Sequence, residues 1–400
     1  MRIAFISRWL FDEFKRSEGV GGGELHRILA YRELGHEVIA LSQSPEVNGF
    51  EEIKLCDLPV VLTPRWKRLP GLGILDKIAK PFTRHRKLFT DLWYLHGFLK
   101  RYGPFDVIEA QCEEPDGLVV ALLSCFKKLP PWAVQIFALR YHFKNNEPVF
   151  EQRRLMGFIF QQANLVKANS ELIALHGQRD YHCPSNKITV VPHNLTPHFF
   201  ETDPTPSLPA IPFRVVCLGA LNEKKGIRFF VEAAGLLKDR LPEARFICVG
   251  GATAENQYTT ELRNLTKVLK LEDRLTWIGE LRGEKLKNAI EEAAVIVIPS
   301  LFDEWNRAAV EAISKGRPVV ITKTCGVASW VEKRGCGVVI PPADSRALAA
   351  GIEHVLSVKE FSIAAQNHAE SLLMEFSPKT IAKISLDHFE QLNLKIAIKP

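Results

Sequence analysis

Short apolar runs alternate with helical patterns along nearly the whole chain, and this restricts the fold more than any other feature. RIAFIS (2–7), EVIALS (37–42), FDVIEA (105–110), WAVQIF (132–137), NLVKAN (164–169) and KITVV (187–191) read as strands, with helical stretches between several of them. The alternation then breaks at ETDPTPSLPAIP (201–212), where four prolines in twelve residues mark a linker. It restarts with FRVVCLG (213–219), ARFICVG (244–250), RLTWIG (274–279), AVIVIPS (294–300), PVVIT (318–322) and GVVIP (337–341). From Asp344 onward only helices are expected. Strand–helix alternation predicts parallel sheets covered by helices on both faces. The expectation is therefore two doubly wound α/β domains, residues 1–200 and 213–377, with 201–212 as hinge and 378–400 returning to the first domain. Such sheets bind ligands at the carboxyl ends of their strands, so two facing sheets imply a cleft.

Composition narrows the class. With 46% hydrophobic and 24% charged residues, the chain has the make-up of a soluble globular protein. The run from Gly117 to Phe126 is far short of the ~20 residues that span a bilayer. MRIAFISRWLF reaches Arg8 after a few apolar residues and reads as a first strand more than a signal peptide. The eight cysteines form no CxxC, and several lie in apolar strands, the pattern of buried free thiols in a reducing compartment. No Asp-x-Asp occurs, and His193 and His198 make a poor metal pair in a proline-containing loop.

The net charge of +6 is modest, but its distribution is uneven. Between Arg65 and Arg101 there are ten Lys/Arg against Asp76 and Asp91, interleaved with apolar residues. That stretch suits an anionic membrane surface, or else a solvated helix face. No helix-turn-helix or RNA-binding motif accompanies it, so nucleic acid is not the expected partner.

PSLFDEWNRAAVEAISKGRPVV (299–320) carries the most chemistry. A buried strand runs into a polar loop. Asn306 is placed to cap the helix RAAVEAISK, whose Ala309, Ala312 and Ile313 share one face. Gly316 stands where a left-handed residue ends a helix. Free N–H groups and the positive end of the helix dipole at 303–307 favour phosphate. Carboxylates there suit the hydroxyls of a sugar or ribose instead. The plainer alternative makes Asp303 a helix-start acid and Glu311 a surface helix residue.

This segment resembles the E-x7-E region of the retaining glycosyltransferases of family four, which have the GT-B fold: two Rossmann-like domains facing across a cleft. Asp303 and Glu311 stand in the acidic positions, with Glu304 next to the first, and Gly316, Pro318, Val319 and Val320 match the tail. The resemblance implies that the first acid region meets the donor sugar and the second acid the nucleotide ribose, with Trp305, Asn306 and Arg307 near the donor phosphates. GGGELHRILAYRELGHEV (21–38) resembles the family's amino-terminal loop and helix, which would place Gly21, Gly22 and Gly23 near the diphosphate or the acceptor. GALNEKKG (219–226) resembles its Gly-Arg-Leu…Lys-Gly segment, with Gly219 and Lys225 in place. VVPHNLTPHFF (190–200) resembles its segment before the hinge, keeping Pro192 and Phe200. RLTWIGELR matches the strand and loop against the base, where main-chain groups of Ile278, Gly279, Glu280 and Leu281, followed by Arg282, would lie.

Several family positions differ. Ala220 replaces the arginine that pairs with phosphate, leaving Lys224 and Arg282 as candidate substitutes. Phe137 replaces a histidine, Asn194 a glycine and Ser329 a glutamate. The resemblance implies a metal-independent hexosyltransferase without cofactor, using a nucleoside diphosphate sugar as donor and a glycan or lipid-linked acceptor. It would work at the inner, cytoplasmic face of a membrane in envelope polysaccharide, lipopolysaccharide or glycolipid synthesis. A sugar-nucleotide epimerase and a catalytically silent nucleotide-sugar-binding protein share the same pattern.

Overall fold

The protein is described by a computed structural model over residues 1–16, 23–77, 87–136, 141–195, 199, 206, 208–251 and 257–397. Phe137, His198, Phe200 and half of the proline-rich segment (201–205 and 207) fall outside these residues, as do Gly21, Gly22, Arg84 and Arg86. The chain divides into two units. The first comprises Met1–Arg140, Phe150–Asn194 and Pro378–Pro400; the second comprises Tyr141–Val149 and Leu195–Ser377.

In chain order the strands up to the linker are β1 (Arg2–Ile6), β2 (Glu37–Ser44), β3 (Glu51–Leu55), β4 (Leu58–Pro64), β5 (Val107–Ala110), β6 (Trp132–Ile136), β7 (Tyr141–Lys144), β8 (Glu147–Phe150), β9 (Leu165–Ala168) and β10 (Ile188–Val190). The first unit's sheet has the order β10-β9-β6-β5-β1-β2-β4-β3. All its neighbours are parallel except β3, which pairs antiparallel with β4 at the edge. The sequence reading missed β3 and β4. EEIKL is charged because it is an edge strand, and LPVVLTP carries prolines at its second and last positions, signals that argue against a central strand.

Ile3, Phe5, Leu25, Ile28, Tyr31 and Val38 form the first core. Helix Pro378–Ala397 supplies Ala382, Leu386 and Phe389 to it. Their spacing is that of one helix face, and the Phe389 ring meets Tyr31 edge-on at 6.3 Å.

The second unit carries β11 (Arg214–Leu218), β12 (Arg245–Val249), β13 (Leu275–Gly279), β14 (Val295–Ile298), β15 (Val319–Thr322) and β16 (Gly337–Ile340). They form one parallel sheet ordered β13-β12-β11-β14-β15-β16. Its core gathers Val215, Cys217, Phe230, Phe246, Val295 and Val297. All eight cysteines are free, and only Cys56 and Cys125 are exposed. Each of β11, β12 and β13 ends at or just before a glycine (Gly219, Gly250, Gly279), so three neighbouring strands present bare backbone at their carboxyl ends.

β7 and all of β8 but Phe150 belong to the second unit although they come from far upstream. β7 and β8 form a separate two-stranded hairpin. Its turn residues Asn145 and Asn146 both take positive φ (52° and 63°), the conformation that two-residue hairpin turns require and asparagine tolerates.

Candidate functional site

β14 delivers the chain to the loop Pro299–Asn306, and helix Arg307–Ser314 leaves it. Asn306 accepts the Ala309 N–H through its side chain at 3.0 Å, capping the helix as its sequence position predicts. Its own amide donates to Asp303 at 3.1 Å. The backbone of Asp303 is clamped to the loop after β15, its N–H donating to Thr324 and its carbonyl accepting from Gly326. Trp305 donates its N–H to the Asp303 carboxylate at 3.3 Å and packs its ring edge-on against Phe376. The side chains of Asn306 and Trp305, and the Trp305 N–H, are thus engaged within the protein. Ala309, Ala312 and Ile313 are fully buried, and Gly316 takes φ 66°, as expected for the residue ending this helix. Asn306→Ala is expected to cost about 1–2 kcal/mol in denaturant unfolding, since it removes the cap and one ligand of Asp303 together.

The second wall comes from β11. After Gly219, Asn222 caps a short 3-10 turn, Glu223–Lys225, by accepting the Lys225 N–H. Gly226 follows at φ 63°, with the Pro299 carbonyl where a Cβ would stand. Any side chain there would push the β11 turn away from the β14 loop. Leu301 N–H in turn donates to the Lys224 carbonyl at 2.8 Å.

These clamps bring together residues about eighty positions apart. Lys225 Nζ donates to Asp303 and Lys224 Nζ to Glu304, the latter at 2.9 Å. Asp303, Glu304 and Glu311 are 7%, 8% and 7% exposed, so none is a surface acid. Burial alone would raise the Asp303 carboxyl, but the Lys225 ammonium and its hydrogen bond outweigh it, and the group is held below its usual range. Burial likewise pulls Lys225 down, and Asp303 more than reverses this. Both groups are therefore ionised at neutral pH. Cys325, bridged to Asp303 along the backbone, is pushed up to about 12 by burial and by that carboxylate, which leaves its thiol inert.

Other residues singled out in the sequence fall elsewhere. Arg282 pairs with Glu280 on the surface, its side chain 70% exposed, so Lys224 and not Arg282 stands beside the acids. Ile278 is exposed, Gly279 ends β13, and Gly251 lies against Glu280. Arg307 is exposed at the start of its helix, as are Ala220 and Ser329 at their positions. Gly23 opens helix Gly23–Glu33 in the first unit, close to Asn194. The sequence reading missed Tyr141 of β7, whose ring lies 4.8 Å from Lys224 Nζ and edge-on to Phe302 at 4.9 Å. The Asn-Asn turn could have announced the hairpin; nothing local says that it joins the second unit.

Residues 212–358 match the family model described as glycosyl transferases group 1. WcaL of Escherichia coli K12, named for colanic acid biosynthesis, is 26% identical over 258 residues, covering 63% of this chain and 59% of its own. The amylovoran biosynthesis glycosyltransferase AmsK of Erwinia amylovora is 29% identical over 174 residues, covering 42% of each chain. The chain therefore spans less than two thirds of these relatives. Among solved structures, Anabaena HepE in complex with UDP aligns with TM-score 0.71 at 20% identity, covering 98% of this chain and 100% of its own. Sucrose-phosphate synthase of Thermosynechococcus elongatus aligns with TM-score 0.73 at 19% identity, covering 98% and 99%. Residues 212–358 are a group 1 glycosyltransferase domain, and the two-unit architecture is that of the GT-B glycosyltransferases.

Proposed function

We propose that this protein is a retaining glycosyltransferase that moves a sugar from a nucleoside diphosphate sugar to a glycan or lipid-linked acceptor in polysaccharide synthesis. The observation carrying this reading is the double pair Lys225–Asp303 and Lys224–Glu304, built where β11 and β14 end inside a group 1 domain. Each lysine is charge-matched within the protein, so the two pairs are neutral before donor arrives. The incoming diphosphate takes the two ammonium groups, each charge-assisted contact contributing about 1.5–3 kcal/mol. The released carboxylates turn to sugar hydroxyls. Lys224 thereby fills the place left by Ala220. Support from relatives comes from the names of WcaL and AmsK and from the UDP and UDP-glucose held by HepE.

In the reaction, the bond between the anomeric carbon and the diphosphate oxygen breaks. The acceptor hydroxyl bonds to that carbon from the same face, and its proton passes to the departing diphosphate. The side chains position the donor and stabilise growing negative charge, so no protein nucleophile is required. A panel of nucleoside diphosphate sugars, assayed for nucleoside diphosphate release with glycan and polyprenyl-phosphate-linked acceptors, tests this. Product configuration is read by NMR. Absence of both turnover and donor binding across the panel would sink the reading, and an inverted product would remove its retaining part.

Peripheral membrane attachment is part of the proposal. Trp66, Ile74 and Leu75 are 67%, 70% and 41% exposed in the same segment as exposed Lys67, Arg68 and Lys77. Arg65 and Lys87 are corrected out of this surface. Arg65 is buried and pairs with Asp12, while Lys87 is buried against Asp91 and the Pro64 carbonyl. Among the described residues no helix is long and apolar enough to cross a membrane. Trp66→Ser combined with Lys67→Glu and Arg68→Glu is expected to lower binding to phosphatidylglycerol vesicles at least 10-fold. Equal binding by variant and wild type would make the segment ordinary surface.

A further inference from the structure

The strand order of the first unit reverses at β1, with β2 and β4 on one side and β5, β6, β9 and β10 on the other. Ligands of such sheets lodge at the carboxyl ends beside the switch point. A cavity of about 30 Å³ lies there, at the ends of β1, β2 and β4, and Gln43, Arg8, Asp116, Leu41, Leu95 and Val119 contribute to its wall. It has room for roughly two water-sized groups.

The polar wall is built from the buried side chains of Gln43 and Asp116 and from Arg8, which is half-buried. Gln43 is 8% exposed and donates its amide to Asp91 at 3.0 Å, which fixes the amide's orientation. Asp91 is in turn held by Lys87 at 2.9 Å. The other end of that amide, Gln43 Oε1, is buried and has no hydrogen-bond partner among the described residues, and the same is true of Arg8 Nε. Asp116 accepts the Arg8 N–H at 3.2 Å and the Cys112 thiol at 3.2 Å, and burial pushes its carboxyl up to about 7. A buried polar atom without a partner costs about 1–3 kcal/mol, so a group that meets both atoms would be stabilised here.

Gln43 Oε1 accepts and Arg8 Nε–H donates. An ammonium group cannot accept and a carboxylate cannot donate, whereas a hydroxyl does both. Leu41, Leu95 and Val119 supply an apolar surround for one carbon. We infer that this cavity receives a hydroxymethyl group of a hexose in the acceptor, its hydroxyl bridging Gln43 and Arg8. This rests on the transferase reading for the word acceptor; the hexose site itself does not.

The test uses methyl α-glucoside, methyl α-galactoside and methyl α-mannoside, each beside its 6-deoxy counterpart, as probes of the full chain in ligand-observed NMR. At least one hydroxymethyl form is expected to bind 10-fold or more tightly than its 6-deoxy partner. Gln43→Met, which keeps the volume but removes the acceptor, should abolish that discrimination, and so should Val119→Phe, which fills the cavity. Thermal unfolding identifies a variant that fails to fold, and the other then decides. Two results overturn the inference: equal binding of every pair, including no binding at all, or discrimination that survives in a folded variant. Binding of a nucleoside diphosphate is read separately. If it is absent while the hexose pairs are still discriminated, the transferase reading fails and the cavity assignment stands.

Discussion

Lys225→Met is expected to lower kcat/KM for the donor about 100-fold or more, the scale on which loss of one preorganised charge-stabilising group acts. Lys224→Met should cost less, about 10-fold. Its side chain is 33% exposed against 25% for Lys225, and solvent screens its contribution further. The order of the two effects matters more than their size. Asp303 is engaged by Lys225, by the Asn306 amide and by the Trp305 N–H, so losing Lys225 also disturbs the loop that shapes the site. Steady-state kinetics with varied donor would show it. A Lys224 variant more damaged than the Lys225 variant would mean that the two pairs have been assigned the wrong ranks.

The pH dependence of this pair follows from the directions of its shifts. Asp303 is depressed below its usual 3.8, so its contribution to stability is present above that value and is lost as pH falls through the lower folded value. Lys225 is raised above its usual 10.5, so its contribution is complete below that value and disappears as pH rises through the higher folded one. The pair is intact across the whole neutral range. A break in donor binding between pH 5 and 9 would therefore come from another group.

The second large effect is on stability. Helix Gly23–Glu33, β5 and β9 bury Glu24, Arg27, Glu109 and Lys167 in one network. Arg27 bonds Glu24 and Glu109, and Lys167 pairs with Glu109. Glu109 and Lys167 are fully buried and Arg27 is 2% exposed. Burial would raise the Glu109 carboxyl, yet Arg27 and then Lys167 hold it below the usual range. Two acids face two bases, so the charges cancel. Lys167→Met leaves the network one positive charge short in a site closed to bulk solvent, and should cost about 3–5 kcal/mol. The double change Glu109→Gln with Lys167→Met restores neutrality and should cost clearly less than the two single losses summed. Denaturant unfolding, with hydrogen exchange of the β5 and β9 amides, measures each. Strict additivity would show that the four groups do not act as a unit.

These two predictions concern features that were unequally legible. The loop after β14 could be read residue by residue, because a cap, an apolar helix face and a terminating glycine lie within a dozen positions of one another. Asn306, Ala309, Ala312, Ile313 and Gly316 behave as local chemistry demands. The burial of Glu311 was not local information: its helix has neighbours on more than one side, and the sequence alone left it open as a surface residue. Arg65 and Lys87 looked like part of a basic surface for the same reason. Lys87 turns to Asp91 at the i,i+4 spacing of a helix, but Asp12 and the main-chain carbonyls that the two groups also meet are connected to them by no spacing rule.

What the sequence determined by itself was the succession of strands and helices apart from β3, β4, β7 and β8, the glycine at each carboxyl end of β11, β12 and β13, and the capped helix beside the acids. Periodicity, capping and backbone freedom act between near neighbours, so they are written in order along the chain. Only the tertiary structure decided that Lys224 rather than Arg282 stands by Glu304, that Tyr141 joins the second unit, and that Glu109 and Lys167 neutralise one another. Those partners are set by strand order: β11 lies beside β14, Glu109 and Lys167 meet across the intervening β6, and a parallel sheet brings together residues separated by whole helices.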